Sequence, residues 1–336
     1  VRLARFALRR ILLLIPVLIG VTAVTFVLVR VLPGDPVRAI LGPLATPAEI
    51  RAERQQLGLD QPIVVQYWDY LRGLVTGSFG TSIQTGQSVG YEIGSRIGAT
   101  LELVVVALAL ALAAALVLGL LGAMRRNRLS DHLIRIGSLI GSALPDFWLG
   151  LMLILVFYGV LRWAPAPLGQ TAFNAAPAKI TGAALVDGLL SLNGTAVVSA
   201  LAHLILPALT LAFVVCASLL RTVRASALEV RSSLAYTAAE AHGITGRKLT
   251  RAYLFRATIS RLPTLTALVF GGLLGSTVLV EYVFGWPGLG QWALQGLLYR
   301  DYPVVQAAVF IYAAGYVIAF LVADIVHAAL DPRVRL

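Results

Sequence analysis

The chain is predicted to fold as an all-α integral membrane protein with six transmembrane helices and a polar segment after the first. Three observations carry that prediction. Of 336 residues, 58% are hydrophobic and 13% charged, and the mean hydropathy of +0.85 is too apolar for an ordinary soluble domain. Six apolar runs are long enough to cross about 30 Å of hydrocarbon at about 20 residues each. The basic residues gather in alternate segments between those runs.

The runs cover residues 11–30, 99–123, 134–160, 201–220, 263–284 and 304–329. The first follows Arg9 and Arg10 and is read as a retained anchor, because its apolar stretch is long and no small-x-small site follows it. An even number of crossings puts both termini on one side. The N-terminal tail, loop 125–135, loop 221–261 and the C-terminal tail together hold 18 of the 27 Lys and Arg residues, so these are the expected cytoplasmic segments. The net charge of +11 therefore reflects membrane topology. It lacks the interleaved aromatics of a nucleic-acid groove, and no nucleic acid is expected.

The expected outer side has three segments. Residues 33–98 carry five basic and six acidic residues, with turn signals at Pro33-Gly34-Asp35-Pro36 and Gly77-Ser78-Phe79-Gly80. At that length they are expected to form a small lid or docking platform. Residues 161–199 are rich in Ala, Gly and Pro, and Asn193-Gly194-Thr195 is formally a sequon to which no weight attaches. Gly285-Trp286-Pro287-Gly288-Leu289-Gly290 requires a tight, irregular re-entry at the membrane surface. The expected domains are 1–32 (tail and first span), 33–98 (external segment) and 99–336 (core), with loop 221–262 inside the core.

That loop is the most polar interruption of the chain, with eight basic and two acidic residues over 221–261. Thr237-Ala238-Ala239-Glu240-Ala241-His242-Gly243 reads as a short helix, with Thr237 and Glu240 as a capping box and Gly243 as the left-handed stop. A second, basic helix is expected from about Arg247 to Ala257. Small side chains at 238, 239 and 241 would let a soluble partner approach the helix backbone, and the arginines would orient it.

Catalysis by the chain itself is not expected. Gly243-Ile244-Thr245-Gly246-Arg247-Lys248 has the glycines and the lysine of a phosphate loop without its spacing, and no strand precedes it. His132, His203, His242 and His327 are scattered, so no metal site is expected, and the single Cys216 lies in an apolar run as a small buried hydrophobe. Ionisable residues in or near the spans are a separate class, because burying charge in lipid is costly. Asp146 follows Pro145 and reads as a helix start near the inner side, with Phe147 and Trp148 beside it as possible path or gate residues. Glu102 and Glu281 lie near the outer ends of their spans, where structural pairing or solvation competes with a path role. Asp324 has His327 or Arg333 as possible partners. A secondary transporter would need an internal repeat with broken helices, and none is found.

Taken in order, a set of short motifs resembles the permease subunits of the dipeptide, oligopeptide and nickel branch of ATP-binding-cassette (ABC) importers. They are Leu32-Pro33-Gly34-Asp35-Pro36, Leu57-Gly58-Leu59-Asp60-Gln61-Pro62 with Gln66-Tyr67, and Gly80-Thr81-Ser82 with Ala99-Thr100-Leu101-Glu102. Pro145-Asp146-Phe147-Trp148-Leu149-Gly150, His203-Leu204-Ile205-Leu206-Pro207-Ala208, Phe284 to Gln291, Arg300-Asp301-Tyr302-Pro303 and Asp331-Pro332-Arg333 complete the series. The resemblance implies a type I importer permease fold in a bacterial inner membrane. It implies as partners a second homologous permease, one or two kinds of ATPase subunit and an external binding protein. ATP and Mg would be held by the ATPases and no cofactor by this chain. The cargo would be a short peptide, with nickel, glutathione or another small solute as alternatives, and an exporter of the same cassette family is a nearer rival than a secondary transporter or a membrane-embedded enzyme. Loop 221–262 would form the coupling helix, with Thr237, Ala238, Ala239, Glu240, Ala241, Gly243 and Arg247 at the ATPase contact. Thr237 stands where the general motif has glutamate, and Glu240 where related peptide permeases often have a basic residue.

Overall fold

The computed structural model describes residues 2–31, 37, 41, 42, 44–56, 58–259 and 262–330. The motifs at Leu32 to Pro36 and Asp331 to Arg333, together with Leu57 and the side chains of Arg247 and His327, lie outside the described residues. The described residues are mostly helical, and their one β feature is an isolated antiparallel bridge between Thr81 and Ser88.

In chain order the helices are α1 (Arg2–Val31), α2 (Pro47–Gln56), α3 (Ile63–Thr76), α4 (Val89–Met124), α5 (Leu129–Ala143), α6 (Asp146–Val160), α7 (Ala184–Leu190) and α8 (Gly194–Arg231). Then come α9 (Leu234–Ala241) and α10, which begins at Gly246–Leu249, widens to a π turn over Thr250–Phe255 and closes with Arg256–Ile259. The last three are α11 (Leu262–Val283), α12 (Leu289–Leu298) and α13 (Tyr302–Leu330). Among the described residues α4, α8, α11 and α13 are each long and apolar enough to cross a membrane, and α5 with α6 make a fifth, bent candidate. In α1 the apolar part is the shorter Ile15–Val31.

The core forms where α4, α8 and α11 meet. On α4 the buried residues Ala107, Ala111, Ala115, Gly119 and Ala123 repeat every fourth position. That spacing is one face of a helix, and its small side chains let α8 approach closely, which is how helices associate where burial from water supplies little drive. At Gly119 a methyl group would sit 2.6 Å from Val223 Cγ1. Leu103 and Val104 of α4, Leu211, Leu219 and Val223 of α8, and Leu273 and Val280 of α11 fill the interface.

Two expectations need correction. The run 134–160 is not one straight span: α5 and α6 are bent by 106° at Leu144 and Pro145. Proline offers no N–H and disfavours helical backbone in the residue before it, and Leu144 adopts extended angles (φ −84°, ψ 131°). Asp146 does start a helix, but at the far end of the 15-residue α5 from the basic turn 125–128. The second correction is length. The helix containing 201–220 runs from Gly194 to Arg231, so the first eleven residues of the basic interruption extend a spanning helix.

Segment 33–98 has helices of its own. Residue α3 Tyr67 meets Phe26 of α1 edge-on at 5.1 Å, and the Arg30 guanidinium lies 3.4 Å over the Phe26 ring while donating to Gln66 Oε1 at 2.8 Å. Asn193, the sequon residue, caps α8 by accepting from the Ala196 amide at 3.1 Å.

Candidate functional site

At the basic end, α9 and α10 form a compact knob under α4 and α8. Ser233 begins α9, with its Oγ accepting from the Tyr236 amide at 3.3 Å. Thr237 is therefore inside the helix, where its hydroxyl donates to the Ser233 carbonyl at 3.2 Å. The capping box at Thr237 and Glu240 does not form, because Leu234, Ala235 and Tyr236 carry the helix almost a turn further upstream to a better cap. The stop is where it was expected. Gly243 has φ +78°, its amide donates to the Glu240 carbonyl at 3.0 Å, and the Ile244 amide reaches the Ala239 carbonyl at 3.1 Å. This is a Schellman closure.

The knob is seated by Tyr236, which packs with Leu254 of α10 against Ala123 and Ala227. Ala239 faces inward and is 6% exposed. Thr237, Ala238, Glu240, Ala241 and Gly243 are exposed, and Leu234 is 89% exposed. Leu234, Thr237, Ala238 and Ala241 thus form one stripe at i, i+3, i+4 and i+7, small apart from its leading leucine. Arg247 lies in the first turn of α10.

Two arginines of α8 brace the helices above the knob. Arg224 grips Asp131 with both prongs, Nε to Oδ1 at 2.7 Å and Nη2 to Oδ2 at 2.8 Å, and Asp131 is fully buried. The Asn127 amide also donates to Asp131, at 3.1 Å, so one carboxylate ties the 125–128 turn to α8. Arg231 donates to the Ala123 carbonyl near the end of α4. Sequence reasoning singled out neither contact. The basic residues of 125–135 and 221–231 gave a signal for topology, not for the carboxylate between them.

At the opposite end, Glu281 is fully buried. It accepts from Thr100 Oγ1 at 2.7 Å and from the amides of Gly290 and Gln291 at 2.7 and 3.1 Å. The same Thr100 hydroxyl accepts the Leu289 amide at 2.7 Å, and Trp286 Nε1 donates to the Ala99 carbonyl at 3.0 Å. The re-entry at 285–290 is thereby locked between α4, α11 and α12. A methyl group at Gly288 would sit 2.4 Å from the Glu281 carboxylate, so only glycine fits. The carboxylate of Glu281, a candidate path or gate residue, is enclosed by donors of its own chain, the structural pairing that competes with that role.

Asp146 is half-buried at the start of α6, with Oδ1 accepting the Phe147 amide at 2.8 Å. Phe147 and Trp148 are 39% and 43% exposed. One turn on, Gly150 packs against Phe284, Thr210 and Val283, which brings this segment beside the end of α11 without joining it to the Glu281 carboxylate. An apolar groove of about 780 Å³ opens between α4, α11 and α13, lined by Leu108, Phe270, Tyr312 and Ile318 among others. Asp146, Phe147, Trp148 and Glu281 do not line it. Among the described residues no cluster of His, Cys, Asp and Glu is arranged to hold a metal ion.

Comparison with known proteins decides the family. The family described as binding-protein-dependent transport system inner membrane component matches residues 115–336, and its N-terminal counterpart matches residues 3–104. The chain belongs to this family. The permease is 40% identical over 321 residues to a probable D,D-dipeptide transport system permease protein of Escherichia coli (strain K12), covering 96% of this chain and 94% of the relative. It is 36% identical over 331 residues to a di/tripeptide transport system permease protein of Pseudomonas aeruginosa (strain UCBPP-PA14), covering 98% of each. It is also 34% identical over 330 residues to a glutathione transport system permease protein of Escherichia coli (strain K12), again covering 98% of each. The permease is a multi-pass membrane subunit of an ABC transport system, helical in the type I manner expected from its motifs.

Proposed function

We propose that this permease is one of two homologous membrane subunits of an ATP-driven importer, and that together they form an alternating-access path for short peptides. The peptide reading is supported by the dipeptide and di/tripeptide relatives, and the glutathione relatives support the small-solute alternative. Import is supported by the dependence of the family on a binding protein. The chain lies in a bacterial inner membrane with six crossings, α1 included, and both termini in the cytoplasm. The knob 233–259 faces the cytoplasm, and segment 33–98 and the 285–290 turn face outward. ATP and Mg belong to the separate ATPase subunits, of one or two kinds, and the chain catalyses no reaction itself.

The observation that carries the coupling role is the outward stripe of Leu234, Thr237, Ala238 and Ala241 on a helix whose other face is fastened to α4 and α8. A shallow face lets a groove on an ATPase close around it, and the fastened face passes that motion to the spanning helices. Ala239 lies on the inner face, so a charge there would disrupt the knob and test nothing about docking. Ala238→Glu is the discriminating change. We expect it to lower binding-protein-stimulated ATP hydrolysis and uptake by at least about tenfold, since it buries an unpaired charge only in the docked complex. Membrane insertion and thermal stability of the permease should be unchanged. Wild-type uptake in this variant would count against coupling at this helix.

A further inference from the structure

A polar cavity of about 350 Å³ opens at the end opposite the basic knob, where segment 170–187 lies across the start of α4 and the 285–290 turn. Its walls include Ser95 and Arg96 of α4, Gln170 and Lys179 of the overlying segment, and Pro287. Two of its polar groups are fully engaged. Gln170 donates to the Gly182 carbonyl at 3.2 Å and accepts the Ala184 amide at 2.9 Å. Asp187 is 2% exposed and accepts from the amides of Ile180, Thr181 and Gly182 and from the Thr181 hydroxyl, at 2.7 to 3.2 Å. The one carboxylate in the wall is therefore held by neutral donors.

Two cations of the same wall have no such partner. The Nε of Arg96 is buried without a hydrogen bond, and among the described residues neither Arg96 nor Lys179 forms an ion pair. A buried guanidinium nitrogen left without an acceptor is unfavourable by itself, and a guanidinium with an ammonium nearby suits a carboxylate. The rim argues for a protein as its source. Phe173, on the short turn between the lining residues Thr171 and Ala176, is fully exposed, and Ile180 is 61% exposed. An exposed aromatic beside unpaired cations is the usual make-up of an interface anchor.

We infer that the Arg96 and Lys179 cavity receives an aspartate or glutamate side chain of the external binding protein, with Phe173 packing beside it. This rests on the reading that this end faces outward and receives that protein. The experiment uses the complete transporter in lipid nanodiscs, with ATP hydrolysis measured against increasing concentrations of the purified binding protein of the same system. In the Arg96→Gln/Lys179→Gln variant the concentration for half-maximal stimulation should rise about tenfold, while turnover at saturation and without binding protein stays unchanged. Added salt should raise the wild-type value and shift the variant less. Carbodiimide treatment of the wild-type complex should couple Lys179 to an acidic side chain of the binding protein. An unchanged half-maximal concentration would overturn the inference. So would a defect confined to cargo with a free C-terminal carboxylate and absent for its amide, which would assign the cavity to cargo. Failure of the unsubstituted transporter to respond to binding protein would bring down the outward-facing reading itself, and is told apart because it appears before any substitution.

Discussion

At the end opposite the knob, five buried carboxylates, Glu92, Glu102, Asp187, Glu281 and Asp301, accept hydrogen bonds from backbone amides or uncharged side chains. Glu92 takes Trp292 Nε1 at 2.7 Å and the Thr85 hydroxyl at 2.9 Å. Asp301 takes the Ser82 hydroxyl at 2.6 Å and the Gln84 amide at 3.0 Å, and Glu102 takes the Leu185 amide at 2.8 Å. At the basic end the buried carboxylate, Asp131, takes a guanidinium, and Arg231 reaches a helix carbonyl. Both chemistries answer the requirement that a buried charge be satisfied, with Oε2 of Glu102 the exception among these carboxylates. They do different work. Apart from Thr100 and Trp292, the neutral donors lie in loops or in the first turns of α7 and α12, so the carboxylates at that end fasten connecting segments into place. The arginines fasten helix to helix and leave the loop below them, α9, with one face free. The first end is built as a fixed rim and the second as a braced frame carrying an open surface.

The largest expected effect breaks the rim. Glu281→Ala strips the acceptor from Thr100 and from the amides of Gly290 and Gln291, and should lower stability by about 3–5 kcal/mol, read as a lower unfolding temperature of the purified permease. Glu281→Gln keeps the shape and one acceptor and should retain more than half of that stability. If both variants melted like the wild type, the rim would not depend on this carboxylate.

A somewhat smaller effect tests the frame. Asp131→Ala leaves Arg224, whose side chain is 20% exposed, without its partner, at about 2–4 kcal/mol once its access to water is allowed for. Asp131→Leu with Arg224→Leu should recover most of the loss, because the pair costs desolvation that an apolar replacement avoids. A double variant as unstable as the sum of the singles would show that the pair does not act as a unit.

The smallest effect concerns pH. Burial raises the Asp187 carboxyl, but the hydrogen bonds from Thr181, Ile180 and Gly182 together outweigh it and hold the group below the usual carboxylate range. A depressed folded value means that its contribution is fully present above the ordinary aspartate value of about 3.9 and is lost as pH falls through the lower folded one. Hydrogen exchange at the amides of 180–182 should therefore stay protected through mildly acidic pH and open only below that value. Loss of protection near pH 5–6 would mean that other groups hold the loop.

Much of the fold was legible because its signals are local. Apolar runs marked the spanning helices, Pro145 marked a break, and Gly243 marked a stop. Where the structure departs, a local rule met a stronger neighbour. The pattern Thr-x-x-Glu does form a capping box at Thr46 and Glu49, where the Thr46 amide donates to Glu49 Oε2 at 2.8 Å and Thr46 Oγ1 accepts the Glu49 amide at 3.3 Å. Pro47 occupies the first helical position there and prevents the helix from reaching further back. At Thr237 nothing upstream prevents it until Ser233, so the same spacing yields no box. Segment 233–243 was legible as a helix with a stop, yet the difference between Ala238 and Ala239 was not, since two adjacent alanines differ only in which one the fold buries.

The sequence by itself determined that this is a membrane protein of basic loops and long apolar helices, because hydrocarbon thickness and backbone preference act over a few consecutive residues. It also determined the family, through motifs whose order survives even where each is weak. Only the tertiary structure decided which carboxylates are buried and what holds them. Glu281 and Thr100 are 181 positions apart and Glu92 and Trp292 are 200 apart. Whether a charge faces water, lipid or a waiting amide depends on chain brought from that distance, and no spacing along the sequence records it.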